Sequence, residues 1–170
     1  KGLGKYSTKS GKWQRFDLAD PGKEMGHENV RDICVLDDQI WLATMGGLGV
    51  FSPKDSHWRA IRSEERSTVM RHSSIRRTEL DGDLVWFSAW SGTSNGEIVV
   101  YDKRTDTWTQ YTKEDVLDTS QNRKAADEVP YITYINWMEV TEDTVWFATD
   151  GGVLAYHKDL DTWWHYTNRD

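Results

Sequence analysis

Arg31, Arg76 and Asn136 each stand ten residues before a tryptophan: Trp41, Trp86 and Trp146. Guanidinium groups grip carboxylates and phosphates through paired N–H donors, and an amide adds a neutral donor and acceptor. Gathered at one place, these side chains would suit a carboxylate, a phosphate or sugar hydroxyls. Trp90 and Trp137 belong to the same stretches. An exposed indole near such a place offers a flat face on which a sugar ring can stack. A plainer role stays open for each residue: the arginines can pair with acidic groups across neighbouring elements, and the tryptophans can simply pack.

Catalytic and metal chemistry find little support. His27, His57, His72, His157 and His165 show neither H-x-H nor HExxH spacing, so no zinc site is expected. "HSS" at 72–74 has no G-x-S-x-G elbow to present a nucleophile. The acidic clusters "LDDQ", "LDGD" and "TEDT" miss the spacing of a calcium loop and read as turn formers. No catalytic residue, metal or cofactor is expected. The formal charge of −7 argues against a nucleic-acid or anionic-membrane partner, because both call for a basic patch. No apolar run approaches the roughly 18 residues of a membrane span. Cys34, the single cysteine, has no internal disulfide partner. The chain opens at "KGLGKY" without Met, which leaves room for a leader upstream. A mean hydropathy of −0.75 is low for a packed domain. Ten tryptophans and seven tyrosines offset it, since each ring buries on the order of 150–250 Å².

The candidate residues hold equivalent places in a repeat. Tyr156 is followed at seven residues by Trp163 and at three more by Tyr166. The same spacing joins Tyr101, Trp108 and Tyr111; Phe51, Trp58 and Ile61; and Tyr6, Trp13 and Phe16. A second anchor precedes three of these copies: Trp41 in "IWLATMGG", Trp86 in "VWFSAWSG" and Trp146 in "VWFATDGG". Seven of the ten tryptophans fall on the two anchors, which chance does not arrange. Val30, Ile75 and Ile135 precede the second anchor by eleven residues, and an acidic turn lies between.

Each unit reads as four short strands, rich in β-branched and aromatic residues and bounded by Gly, Asp and Ser. Four antiparallel strands recurring every 40–50 residues mark the blades of a β-propeller. The expected fold is therefore all-β: a half blade at 1–17 and whole blades at 30–62, 75–112 and 133–167, together one partial propeller domain. Glycine pairs would turn strand two into strand three, and the aromatic anchors would fill the wedge between blades. Three and a half blades fit a fragment of a larger ring of about seven blades, because closure hides sheet edges. The open ends imply that the chain needs the rest of its propeller or self-associates.

"IWLATMGGLGVF … W" and "VWFATDGGVLAYHKDLDTWWHYT" resemble the two-component regulator propeller repeat. The resemblance covers nearly the whole chain. The middle copy departs from it, with Ala89 where Thr44 and Thr149 stand and Glu97 in place of a glycine. It implies the sensory, periplasmic or extracellular part of a bacterial signalling receptor. "YDKRTDTW" is also similar to a kelch repeat, which would imply a protein-interaction module. "KDSHW" resembles the Asp-box of sialidase propellers but lacks its glycine.

In a propeller, strand four to strand one and strand two to strand three connect on one face. Here those connections are long or variable, including "SGTSNGE" after Trp90. Length variation on one face of a regular scaffold is where recognition sits. Arg31, Arg76 and Asn136 open strand one at that face. The expectation is a non-enzymatic sensor or recognition propeller, with a carbohydrate, another small polar ligand or a protein as partner. The alternative is part of a propeller hydrolase or lyase acting on glycans.

Overall fold

The computed structural model describes residues 3–16, 29–55, 57–61, 74–90, 96–119 and 134–167. Most of the long connections singled out above, and residues 91–95 of the insertion after Trp90, lie outside these residues, as do His27 and the first two residues of "HSS". The architecture is all-β. A two-stranded sheet pairs β1 (Leu3–Ser7) with β2 (Lys12–Phe16). Three four-stranded antiparallel sheets follow in chain order. The first blade holds β3 (Val30–Leu36), β4 (Gln39–Thr44), β5 (Gly47–Ser52) and β6 (His57–Ile61). The second holds β7 (Ser74–Asp81), β8 (Leu84–Trp90), β9 (Gly96–Asp102) and β10 (Thr107–Tyr111). The third holds β11 (Ile135–Val140), β12 (Thr144–Thr149), β13 (Gly152–His157) and β14 (Thr162–Tyr166). Each sheet is a meander, and the first strands β3, β7 and β11 touch in succession. These are blades of a propeller, and a fragment of a larger ring accommodates them.

Local chemistry explains the turns. Asp37 and Asp38 both adopt positive φ, 47° and 62°, and close the two-residue turn between the paired Leu36 and Gln39. Primed turns of this kind match the strand twist and favour Asp, Asn and Gly. Thr44 and Thr149 explain the "AT-x-Gly-Gly" pattern. Thr44 Oγ1 donates to Gly47 O at 2.8 Å and accepts Gly46 N–H at 3.1 Å. Thr149 repeats this with Gly152 O at 2.9 Å and Gly151 N–H at 3.1 Å. Gly152 has φ 127°, and a Cβ there would sit 2.2 Å from Tyr166 O, so glycine alone fits.

Blades join through the strand-two tryptophans. Trp41 packs on the next blade at 5.9 Å from Phe87 and 5.3 Å from Tyr101. Trp86 repeats both distances, 5.9 Å to Phe147 and 5.3 Å to Tyr156. Both tryptophans are 2 % exposed. Within each blade the third- and fourth-strand aromatics are direct cross-strand partners, as Tyr101 with Trp108 and Tyr156 with Trp163. Trp146 holds the same place on β12 but is only half-buried; among described residues its ring partner is Tyr166 of its own blade. It is less covered than the other two because no described blade packs on that face. Tyr6 and Trp13 are uncovered at the opposite end, 49 % and 74 % exposed.

One element is not foreseen from periodicity: α1 (Lys113–Thr119), a two-turn helix after β10. Asp115 accepts the Thr112 backbone N–H at 2.7 Å and the Thr112 hydroxyl at 2.8 Å, while Thr112 Oγ1 accepts Asp115 N–H at 3.4 Å. This is a capping box. Val116 pins the helix to the core between the second and third blades.

The two tryptophan environments should separate in unfolding experiments. Trp86→Ala should lower stability by about 3–5 kcal/mol, the usual loss for a large buried aromatic. Trp146→Ala should fall well short of that, as read from urea unfolding midpoints. Equal losses would mean that the third blade's outer face is covered.

Candidate functional site

The site residues sit on a feature that recurs in every blade. Between first and second strands the pairing slips by one residue at the same point. Val30 pairs with Thr44 and Asp32 with Ala43; Ile75 with Ala89 and Arg77 with Ser88; Ile135 with Thr149 and Trp137 with Ala148. The residue left out is Arg31, Arg76 or Asn136. Each is the extra residue of a β-bulge, a device that re-aims side chains and gathers beside active sites. The alternation of side chains along the strand is therefore interrupted at that residue.

The bulge in β7 sends two successive side chains to one neighbour. The Arg76 guanidinium lies 5.1 Å from the Tyr134 ring centre, and that of Arg77 lies 5.3 Å from the Trp137 ring centre. Cations over aromatic faces at this range attract. Trp90 packs against Tyr134 at 5.4 Å, so Arg76, Tyr134 and Trp90 form one cluster. Trp137 stays 55 % exposed under Arg77. Asn136 joins differently: its carbonyl accepts Arg77 Nε–H at 2.9 Å while its side chain is exposed. The structure thus brings Arg76 and Trp90 together, sets Trp137 beside them through Arg77, and leaves the Asn136 amide outside the cluster.

Arg31 approaches from the first blade. Burial lowers its pKa, and the charge of Arg76 lowers it further, so the two guanidinium groups lie within electrostatic range. Arg31 Nη1 is buried without a hydrogen-bond partner. Among the described residues neither Arg31 nor Arg76 is in an ion pair. Two neighbouring cations without a carboxylate are unfavourable alone and favourable to an incoming anion.

Further along the strands the charge reverses. Asp32, Glu79 and Glu139 come after the bulges on β3, β7 and β11. Burial raises the Glu79 carboxyl, and the charges of Asp32 and Glu139 raise it further. Asp32 Oδ2 accepts the Thr78 backbone N–H at 3.1 Å, tying the first blade to the second. The Thr78 hydroxyl donates to Cys34 Sγ at 2.9 Å. The Cys34 thiol is pushed up to about 11, by burial above all, and further by Asp32 and Glu79 against that hydrogen bond. At neutral pH the thiol is protonated and a poor nucleophile. Arg77, Tyr134, Asp32 and Glu79 were not singled out from sequence; the only available signal was their place beside the repeat positions. Among the described residues no group of His, Cys, Asp and Glu is arranged to hold a metal.

The raised Glu79 carboxyl gives a pH signature. Its folded-state value lies above its unfolded one, so the fold favours the neutral acid. Stability present below the ordinary Glu range is lost as pH rises through the folded value. Glu79→Gln should therefore be more stable than the parent chain at neutral pH. The difference should vanish in acid, which paired thermal melts across that window would show.

No family model matches the chain, and no curated protein does. Solved structures are similar in fold. The extracellular domain assigned to a hybrid two-component system of B. thetaiotaomicron aligns with TM-score 0.73 at 13 % identity, over 99 % of this chain and 22 % of that one. The extracellular domain of another B. thetaiotaomicron hybrid two-component system aligns with TM-score 0.70 at 19 % identity, over 99 % and 20 %. PorZ, a surface component of the type-IX secretion system of Porphyromonas gingivalis, aligns with TM-score 0.62 at 15 % identity, over 94 % and 22 %. The chain spans about a fifth of the length of these relatives.

Proposed function

We propose that this chain is part of a non-enzymatic, ligand-sensing propeller lying outside the cytoplasm, which binds a small anionic sugar at the bulged ends of its first strands. The observation that carries the reading is the Arg31–Arg76 pair, without an acidic partner among the described residues and bordered by Tyr134, Trp90 and Trp137. A uronic acid matches it: its carboxylate answers the guanidinium groups and its ring can lie on an aromatic face. The similarity in fold to extracellular domains of two signalling systems supports the sensor context. Among the described residues no helix is long and apolar enough to cross a membrane.

Arg76→Ala should weaken glucuronate binding, measured by calorimetry, by about ten- to a hundredfold, the worth of one charge-assisted hydrogen bond. The Tm should stay nearly unchanged. A fallen Tm with unchanged affinity would make the arginines structural and overturn the reading.

One observation favours the glycan hydrolase alternative: a carboxyl held up by burial beside two other carboxylates, Glu79 with Asp32 and Glu139, is the arrangement of a general acid. Glycan cleavage that is lost in Glu79→Gln would establish it.

The end faces are docking surfaces for a further blade. At one end Trp146 and Val153 are uncovered, and residues 134–167 carry six acidic residues against Lys158 alone. At the other, Tyr6 and Trp13 stand among Lys5, Lys9, Lys12 and Arg15 with no acidic residue. The shapes that meet at the internal interfaces and the opposite charges make a second copy one occupant. This chain should therefore self-associate in sedimentation, less so in high salt. Trp146→Asp should abolish association, and a parent chain monomeric at all concentrations would refute a second copy as occupant.

A further inference from the structure

We infer that the wedge between the second and third blades, on the face opposite the bulges, is a second small-molecule site, built for a neutral hydroxylated ring such as one pyranose unit. It stands apart from the arginine site and does not depend on it. A cavity of about 280 Å³ opens there. That lies just below the usual range of small-ligand sites, about 300–1,000 Å³, and suits one ring rather than an oligosaccharide. Its lining comes from the short-turn ends of the strands: Asp102 closes β9, Thr107 and Thr109 lie on β10, and Lys158 follows β13.

The repeat explains the space. Counting from the third-strand aromatic, Thr107 and Thr109 hold the places of His57 and Arg59 in the first blade. Shorter side chains at those two positions leave room beside Trp86. The walls are the rings of Trp86, Tyr111 and Tyr156, which offer apolar faces to the C–H side of a sugar. Trp86 Nε1 is buried with no hydrogen-bond partner, so its indole signal reports on any change in the packing of this wall. Trp41 Nε1 is unpaired in the same way, but its blade carries the bulkier His57 and Arg59.

The charges of the wedge are already answered within the protein. Lys158 Nζ donates to Asp81 at 2.6 Å and to Thr141 O at 2.7 Å. Asp102 accepts from Arg104 N at 2.8 Å and Nη2 at 3.2 Å, which holds its carboxyl below the usual range. A charged ligand would have to break one of these pairs. A hydroxylated ring need only meet the threonine hydroxyls and lie on the aromatic walls.

The test is an NMR titration of the indole N–H signals with glucose, galactose, mannose and N-acetylglucosamine, and with glucuronate as the charged control. At least one neutral sugar at about 50 mM, above the millimolar Kd expected of a single-ring ligand, should move the Trp86 signal more than glucuronate does. Thr109→Arg installs the first-blade residue and should abolish that shift. Thr109→Val keeps the volume, removes the hydroxyl and should weaken binding several-fold, which guards against a failure of the arginine variant to fold. Arg76→Ala should leave the titration untouched, so the outcome separates this site from the arginine site. No shift with any neutral sugar, or equal shifts in both Thr109 variants and the parent chain, would overturn the inference.

Discussion

The structure depends on one contact made twice: a strand-two indole lodged between the strand-two phenylalanine and the strand-three tyrosine of the next blade. Trp41 and Trp86 make it at matching distances. A blade is a flat, two-faced sheet, and alone it would leave both faces to water. Neighbouring sheets splay apart, so the gap between them needs bulk that aliphatic side chains cannot supply. An indole fills it and brings dispersion contacts in proportion to its area. Ion pairs at the turns, Lys103 with Asp37 and Lys158 with Asp81, add orientation more than energy, since they are partly solvated.

That constraint is why the architecture could be read from sequence. The wedge recurs at every interface, so tryptophan recurs at a fixed place, and the turn chemistry around Thr44 and Thr149 recurs with it. The bulges were invisible for the same reason. An extra residue present in every copy leaves the spacing from Val30 to Trp41, Ile75 to Trp86 and Ile135 to Trp146 identical. Comparing copies reveals differences, and a shared irregularity is not a difference. The helix after β10 escaped because seven residues lie below the reach of periodicity; its trace was the capping pair Thr112 and Asp115.

The bulges also set the electrostatics. They set Arg31 and Arg76 at the start of β3 and β7, with Asp32 and Glu79 further along the same strands. The side-chain roles follow from that layering rather than from residue type. Arg76 and Arg77 are neighbours of the same chemistry, and each lies over an aromatic ring, yet Arg77 alone of the two also holds a backbone carbonyl of the next blade among the described contacts. Sequence could nominate the position; the choice between recognition and bracing needed the register.

Because the strands of each blade, among the described residues, pack mainly on those of its neighbours, the molecule behaves as a short linear array rather than as one globule. Its stability is a sum of blade terms and interface terms, and the interface terms rest heavily on single indoles. Such arrays fold by zipping from any segment and open from whichever end is least tied down. A disturbance at Trp86 would uncouple the second blade from the third while the first and second stayed joined through Trp41. Cooperativity along the chain is thus set at two points, and a ligand wedged beside Trp86 would act as a clasp on one of them.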